Sequence, residues 1–246
     1  MTHPVLLHSL DHQDLGVVRE RGAAYGDDVM SSLTFAGEFR DLQAHYPIVF
    51  RRTGDQGGVQ FEALALFGFE QGENLFLGQG GAGWDAGYIP LAIERQPFMI
   101  GGAGDELHVH VDLDSPRIVR GAVAGKGEAL FLPYGGRSDY LEQVNSMLLA
   151  IHQGLQAMPD FIAALTALGL LEPFVADIEL NDGAQHRLAG FHTIDEDKLR
   201  VLPGEALERL SRAGYLQAIY MAVASLSNLR GLIARKQRLL GEHRHG

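Results

Sequence analysis

Hydrophobic positions change their spacing partway along the chain. Over roughly the first 135 residues they come in short runs separated by glycines, and after Tyr134 they recur every three or four residues. In the first part, Phe61 to Phe69 (FEALALFGF) is almost wholly apolar, which predicts a strand covered on both faces. Ile48-Val49-Phe50, Asn74 to Leu77 and Leu107 to Leu113 predict further strands. Ser32 to His45 places Leu33, Phe35, Phe39 and Leu42 at offsets that suit one amphipathic helix, which Pro47 stops. Glycines at 72, 78, 80, 81, 83, 87, 101, 102 and 104 fall between the runs and suit tight turns.

In the second part, Asp139 with Glu142 predicts a capping box opening a helix that runs to about Gln156. Pro159 then stands where the first turn of a second helix would hold a proline, with FIAALTAL after it and Gly169 as its stop. Two β-rich runs, Phe174 to Leu180 and Gln185 to Ile194, flank Asn181-Asp182-Gly183 and predict a hairpin. Asp195-Glu196 suits the start of the next helix. Another helix is expected from Glu205 to Arg212, with a break at Gly214. A long amphipathic helix follows, carrying Leu216, Ile219, Val223, Leu226 and Ile233 on one side. Arg230, Arg235, Lys236 and Arg238 sit in its last turns, where the helix dipole favours positive charge. The expected class is α+β: a β-rich N-terminal half with a mixed or antiparallel sheet, and a helix-rich C-terminal half containing one β-hairpin. With no repeat and no flexible linker, a single domain over residues 1–246 is expected.

Charge and composition narrow the function. The 246 residues carry 20 Lys+Arg against 31 Asp+Glu, a formal charge of -11. That balance disfavours nucleic acid, whose non-specific binders neutralise phosphates with Lys and Arg, and it disfavours anionic membrane surfaces for the same reason. Zero cysteine removes thiolate nucleophiles, cysteine-ligated zinc, iron–sulfur clusters and disulfides. No window approaches about 18 uninterrupted apolar residues, and the N-terminus lacks a basic segment followed by an apolar one. A cytoplasmic protein without membrane insertion is the expectation.

Several blocks resemble a known family. Glu38-Phe39 and His45-Tyr46-Pro47-Ile48-Val49-Phe50 are similar to the E-F … Y-P-I-V-F signature of the SapC family of bacteria. Ala65 to Phe69 with Gly72-Glu73-Asn74-Leu75-Phe76 resembles its next block, and Trp84 … Tyr88-Ile89-Pro90 … Arg95-Gln96-Pro97-Phe98 resembles the one after. Gly190 to Glu196 and Gly214-Tyr215-Leu216 … Ile219-Tyr220 … Ser225-Leu226 are similar to its C-terminal blocks. The matches keep their order from about residue 10 to 235. The family takes its name from surface-array protein loci. The resemblance, with no convincing catalytic constellation beside it, implies a non-enzymatic accessory protein with no cofactor. Such a protein would hold a protein or peptide partner in a cell-surface or outer-membrane export or uptake system.

Four local features carry candidate chemistry. Gly78-Gln79-Gly80-Gly81-Ala82-Gly83 satisfies G-x-G-x-x-G, but Trp84, Asp85, Gly87 and Pro90 follow where a helix must begin, so a glycine loop is the better reading. On Glu106 to Asp114, strand alternation puts His108, His110, Asp112 and Asp114 on one face. His110 and Asp112 with His192 (or His152 or His186) would form a facial triad for iron(II), with Arg200 holding the carboxylate of 2-oxoglutarate. This non-haem oxygenase is the alternative to an amphipathic strand with a solvated polar face, which is preferred. Glu38, Tyr46, Trp84, Tyr88, Arg95 and Phe98 could line a pocket for a peptide or planar ligand, with Tyr46, Trp84, Tyr88 and Arg95 as its binding residues. The C-terminal His243 and His245 lie at a free end without preorganised geometry.

Overall fold

The apolar runs of the first half form strands and the three- and four-residue repeats of the second half form helices, giving an α+β fold with three antiparallel sheets. The computed structural model describes residues 3–54, 60–78, 81–103, 106–121, 127–181, 183 and 185–242. In chain order its strands are β1 (Pro4–Leu6), β2 (Leu15–Val17), β3 (Ser31–Thr34), β4 (Ile48–Thr53), β5 (Gln60–Leu66), β6 (Phe98–Ala103), β7 (Glu106–Asp112), β8 (Ile118–Arg120), β9 (Glu128–Ala129), β10 (Leu171–Glu179) and β11 (Gln185–Ile194). The helices are α1 (Phe39–Leu42), α2 (Leu91–Glu94), α3 (Asp139–Ala167), α4 (Glu196–Arg200), α5 (Gly204–Arg212), α6 (Tyr215–Ser225) and α7 (Leu229–Glu242).

The sequence reads as one domain; its contacts gather into two compact units interleaved along the chain. The first comprises Met1–Asp27, Leu77–Trp84 and Leu91–Gln153, and the second Asp28–Phe76, Asp85–Pro90 and Gly154–Gly246. The division falls inside α3.

The first unit holds two three-stranded sheets, β1-β7-β6 and β8-β2-β9. Leu15, Val17, Phe98, Val111 and Leu130 pack there against Leu141, Val144 and Leu148 of α3. Its buried charge is Asp27, wholly enclosed, whose two carboxylate oxygens each accept from Arg117 at 2.7 Å. Asp27 also accepts from the Gly22 N–H at 2.8 Å, with Arg21 at 3.8 Å. Arg117 is 1% exposed and also donates to the carbonyls of Val18 and Glu20. The pair thereby ties the segment before β8 to the one after β2.

The second unit is built on a five-stranded sheet in the order β10-β11-β4-β5-β3. The expected hairpin is β10 and β11, with Gly183 at φ 83° in its turn. Helix α6 packs against α1, α5, β4 and β11. The buried Ser225 hydroxyl of α6 accepts the Ile48 N–H at 2.9 Å and donates to the Ala222 carbonyl at 2.6 Å. Asp195 caps α4, accepting from the Lys198 N–H at 2.9 Å.

Several local expectations change. Ser32 to His45 is not one helix: it opens as β3, paired with β5, and only Phe39–Leu42 is helical. Tertiary strand pairing outweighs the helical offsets there. Asn74 to Leu77 is a turn in which the Phe76 N–H donates to the Asn74 side chain at 3.0 Å, leaving one bridge, Leu77 to Trp84. Helix α3 runs unbroken through Pro159 for 29 residues. Its start is capped one residue earlier than expected, by the Ser138 hydroxyl accepting from the Leu141 N–H at 3.2 Å. An interior proline costs about 3 kcal/mol, which burial of Met158, Phe161, Ile162 and Leu165 on the same helix offsets. Gly169, at φ 62°, ends it in a Schellman pattern, the Leu170 N–H donating to the Leu165 carbonyl at 2.9 Å and the Gly169 N–H to Thr166 at 3.0 Å. The last helix is split in two by a tight 3₁₀ turn at Leu226–Asn228. In α7, Arg235 donates to the Asp85 carboxylate and carbonyl and lies over the Phe76 ring. Lys236, 8% exposed, pairs with Glu73. These two basic residues serve side-chain partners, not the helix dipole.

Two substitutions test this packing. A Cβ on Gly154 of α3 would stand 2.2 Å from the Phe35 ring, so Gly154→Ala lowers the melting temperature although alanine is ordinarily about 1 kcal/mol better than glycine in a helix. A rise in Tm would refute that packing. Arg117→Met leaves Asp27 enclosed without its main partner and costs about 3–5 kcal/mol in urea unfolding, while Asp27→Leu added to it recovers most of the loss.

Candidate functional site

The residues singled out from sequence are brought together only in part. Glu38, 3% exposed, accepts from the Thr34 hydroxyl at 2.7 Å and from the Tyr88 hydroxyl at 3.0 Å. Tyr46, fully enclosed, donates to the Tyr88 carbonyl and packs against the rings of Phe67 and Phe76. Burial and the Glu38 carboxylate raise the Tyr88 phenol well above its ordinary range, so it stays a proton donor. Tyr46 and Tyr88 thus belong to a closed hydrogen-bonded set that fastens the 85–90 segment to the end of β3. Trp84 and Arg95 belong to the other unit. Arg95 donates to the Phe98 carbonyl, and burial lowers its pKa. None of the four lines the groove described below.

The residues proposed for iron do not assemble. His110 and Asp112 share a face of β7, as alternation requires, opposite Leu6 and Pro4 of β1. Asp112 already accepts from the His3 and Asp114 N–H groups at 2.8 and 3.1 Å. The His110 ring lies over Gly101, where an added Cβ would come within 3.2 Å of it. His192 is on β11 in the other unit, edge-on to Phe61 with ring centroids 4.9 Å apart. Its Nδ1 is shut away without a partner among the described residues. Among the described residues no three of His, Asp and Glu converge to hold a metal ion, so the set does not fit iron(II). His243 and His245 lie outside the described residues.

The glycine loop opens no helix. Gly78 accepts the Gly81 N–H at 2.9 Å in a turn, Ala82 bridges to Gly22, and the next helix begins only at Leu91. Gln79 and Gly80 lie outside the described residues.

What sequence reasoning missed is a groove of about 710 Å³ in the second unit. One wall is β3 and β5, through Leu33, Thr34 and Gln60 to Ala63. The other is α3, through Leu155, Met158, Pro159, Ile162, Ala163, Thr166 and Ala167. Most of these side chains are apolar, and the volume falls in the roughly 300–1,000 Å³ range of ligand clefts. Pro159 has no N–H, so the Leu155 carbonyl lacks the donor that the helix ladder would supply. The signal was present in the chain: Leu155, Met158, Ile162 and Thr166 keep one helical period straight through the proline. Read as the first turn of a new helix, the proline hid a continuous wall.

The profile of the SapC family matches residues 7–232. The chain belongs to the SapC family. No curated protein and no solved structure matches it. Glu38, Tyr46 and Tyr88 all stand in the blocks by which this SapC chain resembles its family, and their hydrogen bonds give those blocks a structural role. Among the described residues no helix is long and apolar enough to cross a membrane.

His192 is expected to make stability in this SapC chain depend on pH. Desolvation, then the charge of Arg52, hold its pKa below the ordinary 6.5. The unfolded chain therefore binds the proton first on acidification, and stability falls as pH drops below about 6.5. Urea unfolding between pH 5 and 7.5 checks the sign, and His192→Leu flattens the slope; an unchanged slope would clear His192 of the effect.

Proposed function

We propose that this protein is a non-enzymatic accessory protein that holds a protein or peptide partner in the groove between the β3–β5 wall and α3. Its setting would be a cell-surface or outer-membrane export or uptake system, as its family's name suggests. The groove carries the reading: it combines ligand-cleft size, a mostly apolar lining and few polar groups, the composition of binding clefts. Among the described residues no nucleophile paired with a base stands in its walls, where the hydroxyls are those of Thr34 and Thr166. Thr34 donates to Glu38 and Thr166 to the Ile162 carbonyl, so both hydroxyls serve the fold.

Nile red, a neutral apolar dye, is the test. Its emission is expected to brighten and shift to the blue on titration with the protein. Ala163→Arg, at an exposed position of the helix wall, should weaken binding at least about tenfold, equivalent to about 1.4 kcal/mol. Absence of any spectral change, or an unaltered affinity in the Arg variant, would overturn the reading.

A further inference from the structure

We infer that β3 is a docking edge, to which an extended segment of a partner protein adds as a sixth strand and lays alternate apolar side chains into the groove. This rests on the groove's being the binding site. Among the described residues the five-stranded sheet ends on one side at β10 and on the other at β3. The two edges are differently built. β10 carries Pro173, Glu172, Asp177 and Glu179, and its register with β11 shifts between Phe174 and Ala176. Proline, charge and bulges are the devices that discourage strand addition. β3, with Ser31-Ser32-Leu33-Thr34, has none of them.

The register shows which backbone groups face outward. The Phe67 N–H donates to the Met30 carbonyl at 2.7 Å, and the Leu66 N–H donates to Pro47 on the β4 side at 3.0 Å. Antiparallel strands alternate bonded and non-bonded pairs. Ser32↔Ala65 and Thr34↔Ala63 therefore carry the ladder to β5, while the N–H and C=O groups of Ser31 and Leu33 turn to the open side. Leu33, 40% exposed, is also part of the groove wall. A strand laid beside it finds two N–H donors and two C=O acceptors along its backbone, and the apolar face of α3 under alternate side chains.

Charge sets the partner's flank. Among the described residues Glu62 is the only charged side chain lining the groove; it pairs with Arg51 at 2.9 Å and is 38% exposed. Asp160, next to Pro159, is exposed, no lysine or arginine among the described residues lines the walls, and the chain carries -11 overall. The segment that fits is apolar at every second residue and basic at one end.

The probe is a fluorescein-labelled, acetylated hexapeptide alternating valine and threonine with two arginines after it, followed by fluorescence anisotropy. It is compared with the same peptide N-methylated at every second residue, in each of the two phases. One phase should lose at least about tenfold in affinity, because its methyl groups replace the donors facing Leu33, and the other should bind like the parent. Ser31→Pro, outside the groove lining, removes an outward N–H without breaking a bond to β5, and should weaken the parent peptide about fivefold or more while Nile red binding persists. Equal affinity of both methylated peptides and the parent overturns strand addition. So does Nile red binding without peptide binding, which leaves the groove reading standing. Self-association through β3, seen as a dimer in sedimentation and abolished by Ser31→Pro, makes the occupant a second copy and overturns it too. Failure of both probes removes the groove reading itself.

Discussion

A carboxylate with almost no contact with water, that of Glu38, is the constraint on which the second unit turns. Burying such a charge is costly unless hydrogen bonds replace its hydration. Here they come from the Thr34 hydroxyl, the last residue of β3, and from the Tyr88 hydroxyl. One group thus holds the end of an edge strand and the 85–90 segment, while Tyr46 grips the carbonyl of the same Tyr88. Thr34, held there, and Leu33 before it both line the groove.

The first unit uses the same device with a different partner. Asp27 is as deeply buried as any described side chain and is met by Arg117, whose Nη2 donates to both carboxylate oxygens while Nη1 donates to backbone carbonyls. Arg21, next to it, reaches Glu94 and the Ile93 carbonyl, so α2 is drawn into the same network. Neither network has the geometry of a catalytic site. Each spends its polar groups on holding loops in place.

Much of this was legible in the chain. The β10–β11 hairpin, the stop at Gly169, the cap at Asp195 and the break at Gly214 depend on neighbours in sequence, and each formed as expected. Elements that answer to distant partners were not legible. Ser32 to His45 has a helix-like spacing, but β5 claims its first residues as a strand. Pro159 is a good first-turn residue by local rules, yet its neighbours Met158, Phe161 and Ile162 are buried and carry α3 through it. Arg235 and Lys236 fit a dipole argument, but Asp85 and Glu73 stand within reach in space and offer stronger partners.

By itself the sequence determined the family, the α+β class, the order of most elements and the exclusion of cysteine chemistry, because motif order, hydrophobic period and composition are local or additive properties. Tertiary structure alone decided that Glu38, Thr34, Tyr46 and Tyr88 form one set, that His110, Asp112 and His192 do not, and that a groove opens beside β3. Those outcomes depend on which residues far apart in the chain come within 3 or 4 Å of one another. Short-range hydrogen bonds and packing decide that only when the whole sheet and its helices are in place.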